Sequence, residues 1–90
     1  MSESKRTITV LYFAAASSAT GVAQEDILIP NNFKLSELSM LLVSRYAESD
    51  LENILNTSNW SVNLEMVDDP KQVVLEDGDE VGVICPVSGG

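Results

Sequence analysis

A chain of 90 residues supplies one hydrophobic core and too little material for a second domain with its own cleft. With 44% hydrophobic and 21% charged residues, five glycines and three prolines, its composition is that of a folded domain and speaks against a disordered or fibrous class. Fourteen Asp and Glu against five Lys and Arg give a net charge of -9, which argues against nucleic acid or an anionic membrane as partner and favours a basic protein surface.

At the start of the chain, Lys5 and Arg6 precede "TITVLYFAAASSA", which imitates the charged region, apolar stretch and small-residue cleavage site of a secretory leader. The alternation in "TITVLYF" is instead that of a strand: Ile8, Val10 and Tyr12 share one face, and Thr7, Thr9, Leu11 and Phe13 the other. Secretion is therefore not expected. "AAASSATG" reads as a small-residue loop closed by Gly21, and "EDILIP" as a second strand ended by Pro30 and the "NN" turn signal, so the two strands form a hairpin.

In "LSELSMLLVSRY", Leu35, Leu38, Leu42 and Tyr46, with Leu41 beside them, recur at helical spacing and predict an amphipathic helix packed across the hairpin. "SDLE" at positions 49–52 has the form of a capping box, with Ile54 and Leu55 following, so a short helical turn is expected there. Trp60 is expected to close the core. Asn56 and Asn59 open the glycosylation patterns "NTS" and "NWS", which carry little weight outside a secretory pathway. "SVNLEMV" alternates again, predicting one strand with Val62, Leu64 and Met66 on a common face; "DDP" breaks it, and "QVVL" predicts a further short strand. "LEDGDE" crowds four carboxylates around Gly78 but lacks the ligand spacing of a calcium loop, and reads as a solvated turn. In the final "EVGVICP", Val81, Val83 and Cys85 face one side and Gly82, Ile84 and Pro86 the other.

This order of elements predicts one α+β domain over residues 1–90, a mixed sheet with one main helix on one face, which is the order of a β-grasp, or ubiquitin-like, fold. The first and last strands then lie side by side at the centre. Leu11, Phe13 and Ile84 meet on the face away from the helix, an exposed apolar patch of the kind that marks a contact surface. No histidine is present, which removes a Ser-His or Cys-His nucleophile and the commonest metal ligand. The single Cys85 cannot form an internal disulfide or a Cys-rich zinc site and fits a reducing compartment. No metal site, no membrane span and no phosphate-binding loop are expected.

The stretches "ITVLYFAAA", "LSELSMLLVSRY", "VNLEMV" and "LEDGDEVGVICPVSGG" resemble the small sulfur-carrier subunit of molybdopterin synthase across nearly the whole chain. The most specific part is the "DGDEV" turn, a strand, and then Pro-Val-Ser-Gly-Gly; Gly-Gly alone would suit any ubiquitin-like protein. Two departures stand out. Cys85 occupies the first of two positions where the family often has prolines, and is read as a buried structural thiol. The segment 47–59 is not distinctive of the family.

The resemblance implies that Gly90 is the reacting residue. Its carboxylate would be adenylated by a ubiquitin-activating-like adenylyltransferase using ATP, and then converted to a thiocarboxylate. The tail of Pro86, Val87, Ser88, Gly89 and Gly90 would enter the large synthase subunit and give its sulfur to a pterin precursor. Extended, the flexible tail 87–90 spans roughly 13 Å, its two glycines present no side chain to a narrow tunnel, and Pro86 restricts the chain where the tail leaves the sheet. Leu11, Phe13 and Ile84 would dock that large subunit. The chain would be cytosolic, would bind no cofactor itself, and would act as a donor with no independent catalysis. Rival readings are a carrier for thiamine synthesis or tRNA thiolation, and a protein-conjugating modifier joined through Gly90; a β-grasp module with an idle tail is a further one.

Overall fold

The computed structural model describes residues 6–85. Alternation produces β1 (Arg6–Tyr12), in which Ile8, Val10 and Tyr12 are buried while Thr7 and Thr9 point away from the core. β2 (Gln24–Ile29) pairs with it antiparallel, placing Thr7 opposite Leu28 and Leu11 opposite Gln24.

The connection between these strands corrects the sequence reading. Residues expected to form a loop fold into a short helix, α1 (Ala15–Thr20). Alanine has the highest helix propensity of any residue, and Ala16 is fully buried, so packing supports a segment too short to hold alone. Gly21 ends α1 in the left-handed region at φ 81°, its N–H donating to the Ser17 carbonyl at 2.8 Å, a position that suits glycine.

α2 (Leu35–Arg45) follows the predicted spacing and buries Leu35, Leu38 and Leu42 completely. Glu37 in its first turn accepts from the Lys34 N–H at 2.9 Å, and Arg45 stands in its last turn, so charges at both ends complement the helix dipole. α3 (Leu51–Thr57) buries Leu51 and Leu55. The expected box of Ser49 and Glu52 forms only in part: Asp50 is the N-cap, and the Ser49 hydroxyl accepts from the Leu51 N–H at 3.1 Å.

The predicted strand over "SVNLEMV" is a hairpin. β3 (Asn59–Val62) and β4 (Glu65–Val67) run antiparallel about the two residues Asn63 and Leu64, at φ 52° and 74°. Positive φ at both central residues is what a type I′ turn requires. The turn reverses the chain, so Val62 stays against the core while Met66, opposite Ser61, emerges on the other face. "QVVL" forms no strand either. A 3₁₀ turn at Pro70–Gln72 precedes a single bridge from Val74 to Lys34, and Leu75 is buried.

β5 (Glu80–Ile84) completes the order β2-β1-β5-β3-β4, parallel to β1 and antiparallel to β3. A parallel neighbour requires a long crossover, and that crossover carries α2 and α3 onto one face. Trp60, Val81 and Val83 meet the helix leucines there, with Cys85 packed at the margin.

Candidate functional site

On the uncovered face the register places Gln24, Leu11, Gly82, Ser61 and Met66 in one cross-strand row. Phe13, just past β1, lies over its centre. A Cβ built on Gly82 would stand 2.6 Å from Ser61 Oγ and 3.5 Å from Phe13 Cε2, so the absent side chain makes room for the Ser61 hydroxyl, with the ring at ordinary contact distance above. Leu11 and Ile84 are half-buried and Phe13 is exposed, and the three come together as the alternation predicted.

Leu64 and Met66 join them, which the sequence reading missed by placing both on a strand face with Val62. Together these residues line a depression of about 160 Å³ floored by Gly82 and Ser61. "Asn-Leu" in the middle of an alternating run was the available signal, since Asn accepts positive φ readily. The charged groups projecting from this face on β1, β2 and β5 are Asp26 and Glu80, and no Lys or Arg projects from it among the described residues.

The acidic turn braces this face from above. Asp77 accepts from the Thr7 N–H at 2.8 Å, and the Gly78 N–H donates to the Thr7 carbonyl at 2.8 Å. Asp79 accepts from the Glu76 N–H at 2.8 Å and from Asn63 Nδ2 at 3.0 Å, while Asn63 Oδ1 accepts from the Glu80 N–H at 3.0 Å. Asp77 and Asp79 thus satisfy backbone and amide donors where β1, β5 and the hairpin turn meet.

At the end of β5, the Cys85 thiol donates to the Phe13 carbonyl at 3.3 Å and lies 3.7 Å from Ser58 Oγ, whose proton goes to the Ile54 carbonyl at 2.6 Å. These contacts tie the last described residue to the chain beside Phe13. Pro86, Val87, Ser88, Gly89 and Gly90, the predicted tail, lie outside the described residues. Beneath the sheet, Glu25 accepts from the hydroxyls of Tyr12 at 2.5 Å and Tyr46 at 2.7 Å, and lies 3.8 Å from Arg45. Burial, then the hydrogen bond to Glu25, holds both phenols above their ordinary range.

A mixed five-stranded sheet with parallel β1 and β5 at its centre, helices on one face and an apolar patch on the other, defines a ubiquitin-like β-grasp protein. The small archaeal modifier protein 1 of Methanosarcina acetivorans has this fold at a TM-score of 0.78 and 20% identity, covering 97% of this chain and 99% of that one. Within that class, the chain belongs to the ThiS family, which it matches over residues 10–90. It is 37% identical over 93 residues to the molybdopterin synthase sulfur carrier subunit of Mycosarcoma maydis, with 100% of each chain covered. It is also similar to a chain in the complex of subunits 1 and 2 of the molybdopterin-converting factor of Helicobacter pylori, at a TM-score of 0.61 and 26% identity, covering 93% and 99% of the two chains.

Proposed function

We propose that this chain is a sulfur carrier for molybdopterin synthase, with Gly90 as the group that is loaded and unloaded. The observation that carries the reading is full-length kinship to a sulfur carrier subunit, together with an exposed apolar face that adjoins the end of β5, the last strand before Gly90 in sequence. A carboxylate does not yield to a sulfur nucleophile directly, because its leaving group would be oxide. Reaction with ATP in an adenylyltransferase partner releases pyrophosphate and leaves an acyl-adenylate on Gly90. A nucleophile at the oxidation level of sulfide then displaces AMP, forming the C–S bond of a thiocarboxylate as the C–O bond to AMP breaks. No residue of this chain is assigned to nucleotide binding.

The helicobacter complex of subunits 1 and 2 supports a large-subunit partner. Leu11, Phe13 and Ile84 dock it, and the tail from Pro86 to Gly90 enters its active site, where sulfur passes to the pterin precursor. A free Cys85 fits a reducing cytosol.

Intact mass after incubation with the activating enzyme, ATP and a sulfur donor tests the loading step. Replacing oxygen by sulfur adds roughly 16 Da, and an unchanged mass excludes sulfur carriage. Deleting Gly90 tests the position. Withdrawing the reacting carboxylate by roughly 3.5 Å should abolish transfer in a single-turnover assay while binding survives. Near-normal transfer by that deletion would rule out Gly90.

A further inference from the structure

Two apolar residues with positive φ flank the docking face: Ala14 at 51°, immediately after Phe13, and Leu64 at 74°. The remaining non-glycine cases are Asn32 and Asn63, a residue type that adopts this region readily. A leucine there is an outlier, since its Cβ crowds the backbone. Packing does not explain it, because Leu64 is 89% exposed. Glycine would take this turn position without the steric cost, a gain that offsets the backbone entropy it loses on folding. The large side chain instead stands at the rim of the depression floored by Gly82 and Ser61, with exposed Met66 beside it.

We propose that Leu64 is a partner-contact residue that costs the fold, and that the depression it borders receives one apolar side chain from the large synthase subunit. This rests on the docking assignment of the Leu11, Phe13 and Ile84 face. The depression, about 160 Å³, suits a side chain of leucine or methionine size. Apolar anchors in small desolvated pockets dominate the energy of many interfaces. The occupant's surroundings follow from charge. Asp26 and Glu80 stand on this face with no cation among the described residues, so the partner's apolar side chain is flanked by Lys or Arg. An unstrained glycine at position 64 would leave the depression without its outer wall.

The experiment is calorimetric titration of the full chain with the purified large subunit at one ionic strength, with urea unfolding of each variant. Leu64→Gly should unfold at a urea concentration equal to or above that of the parent, and bind roughly tenfold more weakly or worse. The floor is tested separately. Ser61→Ala removes the only atom closer than 3.5 Å to a Cβ at Gly82, leaving Phe13 Cε2 at 3.5 Å and Ser61 Cβ at 3.9 Å. Ser61→Ala with Gly82→Ala should therefore fold like Ser61→Ala alone, yet bind roughly tenfold more weakly because the added methyl occupies the floor. Parental affinity in Leu64→Gly or in the double variant overturns the proposal. A lowered urea midpoint for Leu64→Gly also overturns it, because Leu64 would then be serving the fold. Phe13→Asp separates the two levels: if it alone weakens binding, the face docks without using the depression, and if it binds like the parent, the docking assignment itself fails.

Discussion

Cys85 is the residue whose chemistry most invites over-reading, since a thiol close to the terminus proposed to carry sulfur suggests a relay. Its surroundings argue for a structural role. The thiol donates to the Phe13 carbonyl, lies against Ser58, and packs at the edge of the core as a small hydrophobe would. Cys85→Ser should therefore lower stability by about 1 kcal/mol and leave single-turnover sulfur transfer within a few-fold of the parent. Loss of transfer with an intact fold would show that the thiol takes part in the chemistry. Gly82 acts by absence: a Cβ there would meet Ser61 Oγ at 2.6 Å, closer than two such atoms can stand, and would touch the ring of Phe13 at 3.5 Å without displacing it.

At the scale of elements, Glu25 joins three of them. It lies on β2, Tyr12 on β1, and Tyr46 caps the C-terminus of α2; both hydroxyls converge on Glu25 Oε2, and the rings meet edge to face with centroids 6.3 Å apart. This joint has a pH signature. The two phenols are raised above the ordinary value of 10.0 by burial and then by Glu25. Above that value the unfolded tyrosines lose protons while the folded ones keep them, so the unfolded state binds fewer protons and stability falls as pH rises. The contribution is whole below pH 10.0 and is lost progressively above it. Urea midpoints should decline from pH 9 to 11, and less steeply in Tyr12→Phe, which removes one of the two titrating groups. An equal decline in that variant would place the alkaline sensitivity elsewhere.

For the whole molecule, a net charge of -9 sets the long-range field. A partner with a basic surface is drawn in by that field, and salt screens it over roughly 8 Å at physiological ionic strength. Stopped-flow association with the large subunit should slow by about tenfold or more between 0.02 and 0.5 M salt, with dissociation changing much less. A salt-independent association rate would mean that the acidity serves solubility alone.

Sequence alone determined those features that depend on residue periodicity and on local chemistry. Alternation in β1 and β5 was enough to place Leu11, Phe13 and Ile84 together, because a strand has only two faces and the element order puts these strands side by side. The three- and four-residue spacing of Leu35, Leu38 and Leu42 likewise defined the buried stripe of α2. Tertiary structure decided the rest. The alanine-rich segment became α1 because Ala16 found a place in the core, which no local count reveals. The hairpin at Asn63 and Leu64 was hidden because alternation is blind to a reversal of direction: a two-residue turn interrupts a strand pattern without disturbing its composition. That reversal carries Leu64 and Met66 to the uncovered face, where Gly82 leaves a depression. Its shape depends on contacts between β1, β5, β3 and β4, residues far apart in the chain, and so only the assembled sheet could define it.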